Sequence, residues 1–284
     1  VTLSRPQTLV FLSVDDFLLR NEWAGDVPVV SSKDIKPEED FRILDLFEDL
    51  DISATLFIPG KMAELFPNKL QEVADKGFEV AAHGYLHENL SLLEEVERKQ
   101  RILGSVDLLE KCVRKEVLGW RSPGLHTDDS LYKILENTHV QWCSNIELPL
   151  RFKHVPFMYK GKMELPIASI DLKLYEGGFS PEKVCDKWLS ILERNNEIVT
   201  IVIHPWVQLK SDERIGSLKQ FLEAAASKEN VKICTGSDIY KQYALQERSI
   251  YGSALSAIAR LWKRFSKRAQ APISKTQKVL SHYA

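Results

Sequence analysis

The chain lacks a cysteine framework. Its four cysteines, Cys112, Cys143, Cys185 and Cys234, lie far apart with no CxxC pair, which excludes a stapled scaffold and predicts buried thiols of a reducing compartment. It also lacks any apolar run of the roughly 18 residues that a membrane span needs, and its start shows no signal-peptide pattern. Together these predict a soluble, cytoplasmic protein. Excess charge is missing too. The 38 Lys+Arg and 40 Asp+Glu leave a net charge of −2, too balanced for bulk nucleic-acid binding, and no nucleic-acid partner is expected. No internal repeat is found. What is there, 284 residues of which 44% are hydrophobic, suffices for one large α/β core.

The first 250 residues alternate short β-rich runs with amphipathic stretches. Thr8–Val14 (TLVFLSV) reads as a strand buried on both faces. Glu38–Leu50 spaces Phe41, Leu44 and Phe47 on one helical face. Ser53–Pro59 is the second strand, Lys61–Lys76 a helix stopped by Gly77, and Phe78–Ala82 the third strand. The pattern predicts a long helix over Leu90–Cys112, a strand at Val117–Trp120, a helix at Asp128–Glu136 and a short strand at Gln141–Ser144. Asn145–Lys162 has no regular pattern, and Met163–Ile170 is β-like. Ser180–Glu193 is a helix with Ser180 as its cap and Pro181 in its first position. Ile198–Ile203 (IVTIVI) is the clearest buried strand, followed by a helix at Gly216–Ser227, a strand at Val231–Cys234 and a helix at Asp238–Leu245. Such units predict an α/β fold with a mainly parallel sheet, open or closed into a barrel.

Folds of this kind carry their chemistry at the C-terminal ends of strands. Here those ends read Asp15-Asp16, His83 with His87 four residues on, Trp120-Arg121-Ser122-Pro123-Gly124, and His204-Pro205-Trp206. Each has a bland reading: a helix or turn cap, two surface or hydrogen-bonded histidines, a loop-pinning arginine, a core histidine. Holding every bland reading at once is the harder case. Two imidazoles and one carboxylate suit zinc or a similar divalent ion with a position open for water. One carboxylate and one histidine then remain for proton transfer.

This pattern resembles the polysaccharide deacetylase, or NodB-homology, family (carbohydrate esterase family four). The family's Thr-Phe-Asp-Asp motif appears as Ser13-Val14-Asp15-Asp16, its His-x-x-x-His motif as His83-Gly84-Tyr85-Leu86-His87, its arginine-proline loop as Arg121-Ser122-Pro123-Gly124, and its apolar-x-His motif as Val202-Ile203-His204. The resemblance implies a distorted (β/α) barrel and one divalent metal ion, zinc first with Co, Ni, Mn or Fe as alternatives, on Asp16, His83 and His87. It also implies Asp15 as base, Arg121 as the group orienting it, His204 as acid and Asp171 as the partner of His204. The backbone N–H of Gly124 becomes an oxyanion donor, and Tyr85, Trp120 and Trp206 become pocket residues. The implied reaction is metal-dependent N-deacetylation of an amino sugar or glycan precursor.

There are departures. Ser13-Val14 replaces Thr-Phe at two positions read as strand packing, Gly84 replaces a hydroxyl residue, Gly124 a tyrosine, and Leu172 stands where a tryptophan often sits. The lost rings bear on the polymer substrate more than on the metal chemistry. They keep open an allantoinase- or imidase-like hydrolase of a non-sugar amide, with a non-catalytic carbohydrate-binding module as a third reading.

The charge pattern divides the chain into a catalytic domain over 1–249 and a tail over 250–284. The tail, from Tyr251, carries seven basic and no acidic residues, so the rest of the chain bears −9 against −2 for the whole. Leu255, Ile258, Leu261, Trp262 and Phe265 share one helical stripe within 253–268. That is the make-up of an interfacial helix, or of a C-terminal helix docked on the acidic body. On the first reading the protein lies on the inner face of the membrane and a lipid-linked amino sugar becomes a natural substrate.

Overall fold

A computed structural model describes residues 7–17, 23–24, 27–28, 37–194 and 196–247. The expected tail helix at 253–268 falls outside them. Contacts divide the chain into units 1–244 and 245–284, and the fold is that of the first.

Ten strands make one sheet: β1 (Thr8–Asp15), β2 (Thr55–Ile58), β3 (Glu79–Ala82), β4 (Gly119–Trp120), β5 (Trp142–Cys143), β6 (Phe157–Tyr159), β7 (Lys162–Glu164), β8 (Ile167–Ile170), β9 (Ile198–Ile203) and β10 (Val231–Cys234). The helices are α1 (Pro37–Asp49), α2 (Gly60–Leu65), α3 (Pro67–Asp75), α4 (Glu95–Val113), α5 (Asp129–Leu135), α6 (Asp171–Glu176), α7 (Pro181–Leu192), α8 (Pro205–Gln208), α9 (Asp212–Ala226) and α10 (Gly236–Glu247).

The strand order is β8-β9-β1-β2-β3-β4-β5-β7-β6, with β10 beside the first half of β1. Every named pairing in this sheet is parallel except the β6–β7 hairpin. A parallel bridge from Glu147 to Ile167 joins the chain beyond β5 to β8, so the strands close on themselves. The fold is the expected distorted (β/α) barrel.

Strand parity sorts the barrel into two layers. Leu9, Phe11, Phe57, Ala81, Trp142, Met163, Leu165 and Ile198 form the inner cluster. The alternate residues, among them Val10, Leu12, Val14, Leu56, Ile58, Val199 and Ile201, pack outward with the helices. Side chains two residues apart share a face, so the inner face of β1 continues through Ser13 to Asp15. That of β3 continues to His83, that of β4 from Gly119 to Arg121, and that of β9 to His204. Gly119 is required there: a Cβ would lie 2.2 Å from the Trp142 ring.

Three elements differ from the expectation. The helix expected over Lys61–Lys76 is two, because Pro67 disfavours a helical conformation at Phe66, which adopts φ −135°, ψ 50°. The helix expected from Leu90 begins at Glu95, since Asn89 caps a separate 3₁₀ turn over Leu90–Leu92. The helix expected from Gly216 begins at Asp212, where the Ser211 side chain accepts from the Arg214 N–H. The irregular stretch contains β6, whose hairpin turns at Lys160-Gly161 with positive φ at both residues.

Candidate active site

Asp15 closes β1 on its inner face, and Asp16 turns the chain away with φ 57°, a conformation aspartate tolerates better than most residues. His83 leaves β3, and His87 returns at φ 62° from a loop rather than a helix. Gly84 makes that loop possible. It sits at φ 70°, and a Cβ would lie 2.8 Å from Pro123 Cγ, so the residue that replaces the family's hydroxyl is tied to close packing between the two loops.

Asp16, His83 and His87 each aim one ligand atom at a common point, all within 4.8 Å of one another. Nε2 of His87 is 3.0 Å and Nε2 of His83 is 3.5 Å from Asp16 Oδ1. That buried oxygen nonetheless makes no well-aligned hydrogen bond. The His83 Nδ1 lies 2.8 Å from the Arg121 carbonyl. A carbonyl only accepts, so Nδ1 carries the proton and a neutral His83 presents a lone pair at Nε2. Burial alone would raise the Asp16 carboxyl, but His87, His83 and His204 outweigh it and hold it well below the carboxylate range. Burial likewise opposes charging of His87, and Asp16 raises it above the usual imidazole value. An orphaned oxygen, two imidazoles and a carboxylate that demands positive charge fit a divalent cation.

Arg121 is wholly buried. It donates from Nη1 to Asp15 Oδ1 at 2.5 Å and to Ser13 Oγ at 2.9 Å, from Nε to the Ser144 carbonyl at 2.8 Å, and from Nη2 to Ser144 Oγ at 2.7 Å. Its guanidinium carbon lies 4.0 Å from the Phe57 ring centroid, adding a cation–π contact. Burial draws its pKa down, and Asp15 opposes the shift. Ser13 therefore does more than pack a strand: it accepts from Arg121 and donates to the Ile201 carbonyl.

His204 follows β9. Its Nδ1 lies 2.7 Å from Asp171 Oδ1, and its backbone N–H donates to Asp171 Oδ2 at 2.9 Å. Gln208 Nε2 and the Leu172 N–H also donate to that carboxylate, at 2.7 and 2.6 Å. Burial works against the imidazolium, but Asp171, with Asp16 and Asp15 beyond, pushes the ring up to about 9. His204 Nε2 faces Asp16 Oδ2 at 4.0 Å. Trp206 donates from Nε1 to the same oxygen at 3.2 Å.

Two expected pocket residues lie elsewhere. Trp120 is fully buried in the outer, helix-facing core and donates to Ser122 Oγ, because its neighbours Gly119 and Arg121 take the inner parity. Tyr85 donates to Glu64, lies beneath Arg101 and lines an open groove along α4. Gly124 is exposed on the loop after Pro123. Leu172 packs with Leu125 against Ile167, Ile170 and Val202. Ser144, Asn145, Glu164 and Gln208 were not singled out in the sequence; the pair Ser144-Asn145 stands at a strand end as the others do, which was the one available signal.

Residues 5–142 match the polysaccharide deacetylase family model. A peptidoglycan deacetylase from Helicobacter pylori is 35% identical over 82 residues, 29% of this chain and 28% of that protein. The chain thus aligns with under a third of the length of the curated relatives it matches. Among solved structures, a probable polysaccharide deacetylase from Pseudomonas aeruginosa superposes with a TM-score of 0.71 at 15% identity, covering 87% of this chain and 94% of that one. An allantoinase does so at 0.69 and 17%, covering 88% and 94%. These two likenesses concern the fold. The family match falls on the segment that carries Asp15, Asp16, His83, His87 and Arg121, and over residues 5–142 the chain is similar to the polysaccharide deacetylase family.

Proposed function

We propose that the protein is a metal-dependent hydrolase that removes an N-acyl group, most simply acetyl, from an amino sugar or glycan precursor. The observation that carries this reading is the convergence of Asp15, Asp16, His83, His87, Arg121 and His204 on one barrel rim. Asp16, His83 and His87 would hold a divalent ion which, when bound, polarises the scissile carbonyl and acidifies a water. Asp15 takes the proton of the attacking water, its carboxylate turned by the Arg121 fork. His204, charged through Asp171, gives a proton to the departing nitrogen, without which an amide leaves as a poor anion. The N–H of Gly124 is available to the oxyanion, since Pro123 has none. The products are a free amine and a small acid.

A second reading keeps the centre and changes the substrate to a cyclic imide or ureide. It is favoured by the missing pocket rings: Gly124 in place of a tyrosine, Trp120 turned into the core, Leu172 in an aliphatic cluster. One panel separates the two. The purified chain is incubated with N-acetylated sugars, nucleotide sugars, lipid-linked sugars and cyclic ureides, and the product is identified by mass. Release of acetate from a sugar supports the first reading, ring opening of a ureide the second. No turnover of either, with metal bound, would leave a binding protein. We further propose that residues 253–268 hold the protein at an anionic membrane.

A further inference from the structure

Behind the Arg121–Gly124 loop lies a buried polar cluster with no part in the chemistry above. Glu164 of β7 is wholly buried. Its Oε1 accepts from the Tyr132 hydroxyl at 2.5 Å and from Asn145 Nδ2 at 3.4 Å, and its Oε2 accepts from the Asn145 backbone N–H at 3.1 Å. Asn145 Oδ1 in turn accepts from the Ser122 N–H at 2.7 Å. The amide orientation of Asn145 is forced, because a carboxylate on one side and an N–H on the other admit only one assignment. Ser144, one residue earlier, holds the Arg121 guanidinium through its carbonyl and its hydroxyl. The dipeptide Ser144-Asn145 therefore supports both the side chain that orients Asp15 and the backbone that leads to Gly124, and Glu164 clamps that dipeptide from behind.

We propose that Glu164, acting through Asn145 and buttressed by Tyr132, is a positioning residue that sets the Arg121–Gly124 loop for the reaction. This rests on the hydrolase reading. Three donors converge on Glu164, so the network is complete only with an ionised carboxylate, which accepts without donating. Burial raises the Glu164 pKa to about 7, while the hydrogen bonds from Tyr132 and Asn145, and the charge of Arg121, act to lower it. The other ionisable groups that sense its charge are Cys143 of β5 and Tyr159 of β6. A buried acid that must ionise against its environment is costly for the fold, and such groups gather where geometry serves function.

The test uses the full chain carrying Glu164→Gln or Tyr132→Phe. Glu164→Gln turns one acceptor into a donor facing donors; Tyr132→Phe removes the hydroxyl that donates to Glu164 and accepts from Asn145 Nδ2 at 3.3 Å, leaves the carboxylate in place and is the milder change. Both should retain bound metal and keep KM within about twofold, while kcat falls ~10- to 100-fold, the scale of a misplaced reacting group. Tyr132→Phe should also move the acidic midpoint of kcat to higher pH, which a role in stability alone would not do. Independently of turnover, amide hydrogen exchange at Ser122 should quicken at least ~10-fold in both variants, with the β1 amides unchanged. Should Glu164→Gln not fold, Tyr132→Phe decides alone. Unchanged exchange at Ser122, or lost protection with unchanged kcat, would overturn the proposal. If the wild type cleaves no amide, the hydrolase reading fails while the exchange measurement still decides the positioning role.

Discussion

Arg121→Met removes the guanidinium that pairs with Asp15 and leaves a side chain of similar length against Phe57. The structure sets the magnitude. Arg121 is 0% exposed and Asp15 5%, so the stranded carboxylate has little water to turn to, and the Ser144 carbonyl loses the Nε donor as well. Removing one partner of a buried ion pair costs about 3–5 kcal/mol. For a domain of this size that is a fall in Tm of roughly 6–20 °C. Asp15→Asn strands the opposite charge and is destabilising on its own. The double variant strands neither, so it should be more stable than the sum of the two losses predicts, by about 1.5–3 kcal/mol. The assay is urea denaturation of the wild type, both single variants and the double, in chelator and again with zinc, so that metal linkage is not mistaken for ion-pair energy. A loss below ~1 kcal/mol in Arg121→Met, or additivity within ~0.5 kcal/mol, would refute the argument that burial makes this pair interdependent.

Metal analysis of His87→Ala should show loss of the ion that the wild type retains; equal content in both would exclude His87 as a ligand. Asp15→Asn and His204→Ala should keep the metal yet lose at least ~100-fold in turnover, the lower range for a positioned proton-transfer group, and near-normal rates in either would remove that residue from the mechanism. Glu164 gives a pH dependence whose sign can be worked out. Its pKa rises from 4.5 to about 7 on folding, so the folded chain holds the extra proton between those values. Stability therefore falls as pH rises through that window, by up to roughly 3 kcal/mol. Urea midpoints at pH 5 and pH 8 should differ more in the wild type than in Glu164→Gln, and parallel profiles would contradict this. Sedimentation with anionic vesicles should carry down the full chain but not one ending at Ser249, with the difference shrinking in high salt; if both stay in solution at low salt, the membrane proposal fails.

Much of the site was legible before any folding was considered, for a physical reason. The central strands are almost wholly apolar because burying charge on both faces is costly, so Asp15-Asp16, His83 and His204 stand out where their apolar runs end. The strand–helix alternation was legible in the same way, since period-2 and period-3.6 burial leave different spacings of apolar residues. Helix interruptions were harder to see: Phe66 and Leu90–Leu92 are apolar enough to continue a helical stripe, and Pro67 and the Asn89 cap decide otherwise.

Parity, pairing and support were decided by tertiary structure. Trp120 and Arg121 are neighbours in sequence, and only closure of the barrel sends the ring outward and the guanidinium inward, because Gly119 must face Trp142. Asp171 and His204 are 33 residues apart, and Arg121 and Asp15 are 106 apart. Ser144 and Asn145 directly follow a strand of two residues and Glu164 ends a strand of three, at the two borders of the stretch whose pattern was least regular. Strands so short carry no periodic signal. Their side chains acquire a role only when neighbouring strands bring a buried arginine and a loop N–H within hydrogen-bonding distance.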